Sequence, residues 1–353
     1  MKTLLLILNC AIFNFSTLAF AKPLIDFNLV NYINGKQNFW TAHHSPRFLG
    51  HTREEIKQLC GTFTHEIFEL PLKQVELNGI EIPETFDSRE NWPECHTIGF
   101  ARDQGNCGSC WAFASTEAFN DRLCIATNNQ FQQFLSPQAT VDCCNMLHCF
   151  SFGCNGGQPG MAWNYFKSSG IVTGGNYEDI GKGHDCLPYQ IKSCSHHVED
   201  PTHVACDQTP SGSAQICPTT CSEKSYGVNY ANDIHKVDNA YSLSGVEQIQ
   251  ADILKYGPVS AAFTVYEDFP AYKNGVYVYT TGSALGGHAV KIIGWGIEDG
   301  VPYWTVMNSW NSKWGDNGTF KIRRGTDECG IESMGVNGGT IIKSNEQKYF
   351  RYN

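Results

Sequence analysis

Cys107 and Cys110 stand two residues apart in the stretch Cys-Gly-Ser-Cys-Trp-Ala-Phe, residues 107–113. A pair at this spacing could be a redox dithiol, half of a zinc site, or one bridged cysteine beside one reactive thiol. The redox reading wants a strand immediately before the motif in a compact βαβ unit. Here Asp103-Gln-Gly-Asn106 is turn material, and the chain is long and rich in cysteine. A zinc site needs two more ligands, for which Cys143, Cys144, Cys149 and Cys154 are the candidates, but cysteines on an oxidising route pair with one another first. The third reading makes Cys107 a staple and Cys110 a nucleophile. At a helix start the dipole and the unpaired N–H groups favour a thiolate and can face an oxyanion.

Such a thiolate needs a base. Twelve histidines are present, and His288 is the best placed, after Gly286-Gly287 and before an apolar run over residues 289–295. Asn308, in Asn-Ser-Trp310, ends the next apolar run and could accept the second ring N–H of His288. A lone histidine satisfied inside a core is the competing explanation.

The elements that must hold these groups divide the chain. Residues 110–122 lack Gly and Pro and read as a largely buried helix with Cys110 in its first turn. Residues 246–256 have helical spacing and stop at Gly257-Pro258. Apolar runs at 259–265, 276–279, 289–295, 303–307 and 319–323 read as strands of a β-rich half. Between Cys143 and Cys221 the Gly, Pro, Ser and His content predicts few regular elements. Residues 22–81 form a separate, removable segment with helical patterns at 28–33 and 53–59. Its histidines, His43, His44, His51 and His65, are expected to be solvated, with a titrating switch as the alternative.

The chain has 353 residues, 41% hydrophobic and 17% charged, enough for one large or two modest globular domains. A formal charge of −10 without any basic run argues against a nucleic-acid partner. Met1-Lys2, an apolar run from Leu4 and Ala19-Phe-Ala21 read as a secretory signal cut after Ala21, and no second apolar stretch is long enough to anchor the chain in a membrane. Sixteen cysteines suit that route; each bridge contributes about 2–4 kcal/mol.

Gln104 with Cys107-Gly-Ser-Cys110-Trp, Cys154-Asn-Gly-Gly157, Gly287-His288-Ala289 and Asn308-Ser-Trp310 resembles the papain-like cysteine proteases. That family spaces its Cys and His by about 130–150 residues; here His288 and Asn308 follow Cys110 by 178 and 198, so an insertion intervenes. Cys194-Ser-His196-His197 through Cys206 resembles the occluding loop of the cathepsin B-like branch, and residues 59–63 resemble its pro-segment. The similarity runs from Ile82 to about Gly339.

The resemblance implies an α+β, two-lobed papain-like fold, with a helical lobe over roughly 95–228 and a β-rich lobe over roughly 229–335. A signal peptide (1–21), a pro-segment (22–81) and a catalytic domain (82–353) follow from it, with the occluding loop at 194–206. It makes Cys110 the nucleophile, His288 its base and acid, Asn308 the group orienting His288, and Gln104 an oxyanion donor. Trp310 covers the His288–Asn308 pair. Gly156, Gly157, Ala262, Gly287, Ala289 and Met334 bind substrate. His196 and His197 hold a peptide carboxylate for removal of C-terminal dipeptides. It pairs Cys95–Cys124, Cys107–Cys154, Cys143–Cys217, Cys144–Cys149, Cys186–Cys221 and Cys194–Cys206. Neither a cofactor nor a metal is implied. Partners would be protein and peptide substrates, the chain's own pro-segment and cystatin-type inhibitors, in a lysosome or outside the cell.

Two departures from the branch stand out. Met334 replaces an acidic residue at the floor of the pocket for the second residue before the cut (P2), predicting an apolar preference there. Of the two ion pairs that hold the loop, Asp103 with His196 can form, but the other lacks its Arg and has Lys313 in the carboxylate position. Pairing of Lys313 with Glu199 or Asp200 would reverse that polarity. A weakly held loop predicts endopeptidase activity beside dipeptide removal. Asn317-Gly-Thr319 is either a glycosylation site or simply a turn. A catalytically silent secreted binding or matrix protein on the same fold is the rival class, and a disulfide oxidoreductase a third.

Overall fold

The computed structural model describes residues 22–48, 50–63, 70–195, 204–205 and 212–341. The expected signal peptide, His65, His196, His197, Glu199, Asp200 and the Cys194–Cys206 pairing fall wholly or partly outside them.

The N-terminal segment folds as α1 (Phe27–Lys36), β1 (Trp40–Ala42) and α2 (Arg53–Gln58). Asp26 caps α1, and Thr52 with Glu55 forms a reciprocal capping box on α2. After β2 (Phe86–Asp87) and α3 (Ser88–Asn91) comes α4 (Cys110–Ala126), in which every residue from Cys110 to Cys124 is buried. Polar residues on this helix are tolerated because they are paired: Thr116 bonds Thr140, and Asn120 accepts from the Leu135 amide. Helices α5 (Pro137–Cys143), α6 (Met146–Cys149) and α7 (Pro159–Ser168) complete the helical region. Of these, α6 and α7 populate the stretch between Cys143 and Cys221 that was expected to hold few elements; α5 and α7 both open on a proline, which suits the first helical turn.

Short strands β3 (Cys194–Ser195) and β4 (Val204–Ala205) pair with each other. Then come β5 (Asn239–Leu243), α8 (Val246–Tyr256), β6 (Val259–Tyr266), β7 (Tyr272–Tyr277), β8 (Ala284–Glu298), β9 (Val301–Met307), β10 (Thr319–Arg323) and β11 (Val336–Thr340). The main sheet runs β1-β7-β10-β9-β8-β6-β11-β5, with β2 against β8. The mixture of helix and sheet is α+β.

Two large cores result. One lies among α4, α5 and α7, around Trp111, Phe119, Trp163 and Phe166. The other backs the sheet, around Phe263, Phe269, Trp304 and Phe320, and takes in Ile33, Trp40, Phe48, Ile56 and Leu59 of the N-terminal segment. That segment is therefore packed as core. Its histidines correct the solvated expectation: His51 is buried, and His43 and His44 are half-buried.

Candidate active site

Cys110 opens α4 and is fully buried. Cys107 is bridged to Cys154, which fixes the loop leading into the helix. Among the described residues the other bridges are Cys95–Cys124, Cys143–Cys217, Cys144–Cys149 and Cys186–Cys221, and Cys60, Cys110 and Cys329 are free thiols. No group of His, Cys, Asp and Glu among the described residues could hold a metal ion.

His288 arrives from the other core, on β8, where it lies opposite Phe263 of β6. Its Nε2 is 2.8 Å from Asn308 Oδ1, which also accepts the Ser309 amide at 2.8 Å. Because that oxygen is an acceptor, Nε2 carries the proton and Nδ1 keeps its lone pair. Nδ1 is buried without a hydrogen bond of ordinary geometry. Trp310 lies over the imidazole, ring centroids 4.7 Å apart, and Trp310 is itself held edge-on by Phe48 and Trp314.

Burial pushes the Cys110 thiol up, but the charge and proximity of His288, with help from Thr62, outweigh it and leave the thiol below its ordinary value. A buried thiol close to a histidine of fixed tautomer can give up its proton and attack a carbonyl.

Gln104 is buried beside this pair. Its Oε1 accepts from Ser309 Oγ at 2.8 Å, and its Nε2 donates to the carbonyls of Cys107, at 2.7 Å, and Leu59, at 3.0 Å. One fixed amide donor thus already meets a carbonyl oxygen from the N-terminal segment.

That segment runs through the site. Thr62 Oγ1 is 3.3 Å from Cys110 Sγ. The Thr62 amide donates to Gly287 O, the Phe63 amide to Gly157 O, and the Gly157 amide to Gly61 O. A side chain on Gly157 would strike Trp111, and one on Gly156 would strike Phe63 and the Gly61 carbonyl. These glycines leave room for an extended backbone to lie directly on the site.

Ala262 and Ala289 face each other on β6 and β8. Met334 is half-buried and takes a contact from Thr264 Oγ1 to its Sδ at 3.5 Å. Asn317 is exposed in a turn with φ of 53°. Asp103 accepts from Gly105 N and Asn311 Nδ2, each at 2.8 Å, and Arg47 of the N-terminal segment approaches it at 3.8 Å. Three contributors escaped sequence reasoning. Thr62 and Gly61 lay within a recognised motif but had no assigned role. Tyr189 bonds both Ser109 Oγ and Gln104 O, and nothing in its local sequence signals that.

The family model for papain family cysteine proteases matches residues 82–338. Cathepsin B-like cysteine proteinase 6 of Caenorhabditis elegans is 44% identical over 324 residues, covering 88% of this chain and 82% of its own. Cathepsin B-like cysteine proteinase 4 of the same organism is 45% identical over 319 residues, covering 88% and 91%. Among solved structures, procathepsin B S9 from Trypanosoma congolense superposes with a TM-score of 0.77 at 32% identity, covering 91% of this chain and all of that one. With a cysteine and a histidine held together in the matched region, the chain belongs to the papain family of cysteine proteases, in its cathepsin B-like branch.

Proposed function

We propose that the chain is the zymogen of a thiol endopeptidase and peptidyl-dipeptidase in which Cys110, His288, Asn308 and Gln104 carry the chemistry. The observation that carries this reading is the 2.8 Å His288–Asn308 contact, which leaves Nδ1 as the base for the buried Cys110. Nδ1 takes the thiol proton, and the thiolate attacks the substrate carbonyl carbon. Gln104 Nε2 and the Cys110 amide hold the resulting oxyanion. Collapse forms a thioester as the leaving amine takes the proton back from His288. Water, deprotonated by the same imidazole, then releases the acid and restores the thiol.

Residues 22–81 act as the inhibitory pro-segment, and Thr62 across Cys110 supports that role. Gly156 and Gly157 would pair with substrate backbone once it leaves, with Ala262, Gly287, Ala289, Trp310 and Met334 around the side chains. The thioether of Met334 favours Phe, Leu or Val over Arg at P2. His196 and His197 would receive the terminal carboxylate of a peptide. The expected signal places the enzyme on the secretory route, to a lysosome or beyond the cell, where cystatin-type proteins are fitting inhibitors.

Acid-activated protein and its Cys110→Ser variant, assayed on matched Phe-Arg and Arg-Arg fluorogenic dipeptides, test this. Cleavage of Phe-Arg alone, lost in the variant, is expected. Equal cleavage of both would overturn the Met334 assignment. Absence of thiol-dependent cleavage after removal of the pro-segment would overturn the assigned chemistry.

A further inference from the structure

The main sheet ends at β5, whose outer edge is covered by a short piece of the N-terminal segment. Leu72 pairs in parallel with Ser242: the Lys73 amide donates to Ser242 O at 2.9 Å, and the Ser242 amide to Pro71 O at 3.0 Å. Two residues on, Gln248 of α8 clamps the Val75 main chain, accepting its N–H at 2.6 Å and donating to its carbonyl at 3.3 Å. The Val75 side chain is buried in the sheet core.

Between these anchors Lys73 enters a cage. Its ammonium lies 4.0 Å from the Tyr241 ring centroid and 3.9 Å from that of Tyr256, and 3.0 Å from Asp252 Oδ1. Two aromatic faces and a buried carboxylate are what a lysine side chain seeks. The cage is built by the family-matched region itself. Asp252 Oδ2 is fixed by Arg122 at 2.6 Å, its Oδ1 by the Tyr241 hydroxyl at 2.9 Å, and Arg122 in turn by the carbonyls of Gly257, Pro258 and Gly339. Removing Lys73 leaves those contacts in place.

We propose that the β5 edge, the Tyr241–Tyr256–Asp252 cage and the Gln248 amide form a peptide-binding exosite, separate from the Cys110 cleft. It selects an extended segment bearing a lysine with an aliphatic residue two positions later. Residues 71–75 fill it in the full chain, and it opens to other lysine-bearing segments when that stretch is cut away. The ladder and the amide clamp read any backbone; the cage and the Val75 position supply selectivity. An unoccupied sheet edge is in any case a surface prone to take another strand. The opening of the site rests on the zymogen reading above.

The test is direct. The chain is trimmed at acid pH with added pepsin, a start after residue 81 is verified by mass spectrometry, dipeptide hydrolysis is recorded, and the thiols are then blocked. A labelled peptide of residues 70–77 should bind saturably by fluorescence anisotropy. Norleucine in place of its lysine, or Tyr256→Ala in the protein, should each weaken binding about tenfold, and a ligand of the Cys110 cleft should not compete. Absent binding, binding indifferent to the lysine, competition by the cleft ligand, or a trimmed chain that retains residues 71–77 would each overturn the exosite. A trimmed chain that hydrolyses no dipeptide yet binds the peptide through its lysine would sink the protease reading and uphold this one.

Discussion

The hydroxyl of Thr62 lies 3.3 Å from the sulfur of Cys110, with strand-like hydrogen bonds to Gly287 and Gly157 on either side. On the mechanism proposed above, the contact stands where the substrate carbonyl would have to approach Cys110. The approach is close because Gly61, just before Thr62, has no side chain: a Cβ there would fall 1.8 Å from the carbonyl oxygen of Gly108.

Gly61→Val should therefore lift the segment off the site. Forced overpacking of this kind costs about 1–3 kcal/mol, so activity of the uncleaved chain should rise roughly 5- to 150-fold. Hydrolysis at neutral pH, with chain length followed by electrophoresis, checks it; an uncleaved variant as silent as the parent would count against Thr62 as the block.

Asn308→Ala removes the acceptor that fixes the His288 tautomer. A hydrogen bond to a group that becomes charged is worth about 1.5–3 kcal/mol, so kcat of the activated enzyme should fall roughly 10- to 150-fold. KM for a dipeptide substrate should change little, because Asn308 is buried away from the cleft surface. A change confined to KM would show that Asn308 shapes binding instead.

Much of this site was legible because the chemistry depends on short runs: Cys107 to Trp111, Gly287-His288 and Asn308 to Trp310. Helix α8 was equally legible, since its apolar spacing is regular and Gly257, with φ of 99°, ends it. Of the strands around it, the runs expected at 259–265, 303–307 and 319–323 match β6, β9 and β10 to within two residues, and two others were read less well. The run expected at 276–279 is β7, Tyr272–Tyr277, displaced because β7 pairs with β1 of the N-terminal segment and because Asp268 draws the amides of Thr280 and Thr281 into a turn. Strand β8 extends through four glycines that resemble breakers; at Gly294 the missing side chain admits the Phe86 carbonyl. Lys73 was not legible at all, because its cage comes from Tyr241, Asp252 and Tyr256, about 170–180 residues away.

His43 supplies a pH dependence for release of the segment. Burial, then Lys273 and His44, hold its imidazole below the ordinary 6.5. The docked segment therefore binds fewer protons at this site than the released one. Docking is strongest above pH 6.5 and weakens as pH falls from there toward the depressed value. His43→Gln, which cannot gain charge, should move the midpoint of autoactivation to lower pH. An unchanged midpoint in processing assays at stepped pH would remove His43 from the trigger.

Glu117 should act in the opposite sense on the body of the enzyme. It is buried on α4, with Lys291 at 3.6 Å and Asp121 sharing the same ammonium at 2.7 Å. Burial pushes its carboxyl up to about 7, against the pull of Lys291 and Arg102. The folded state then holds a proton that the unfolded chain releases near 4.5, so this contribution is complete below pH 4.5 and is lost as pH rises toward about 7. Activated enzyme should accordingly unfold at a lower temperature at pH 7 than at pH 5. Glu117→Gln keeps the shape of the side chain and removes the titration, so its unfolding midpoint should vary less across that interval. Thermal melts of both proteins at half-unit steps decide the matter, because parallel curves would mean that the loss of stability arises at another group.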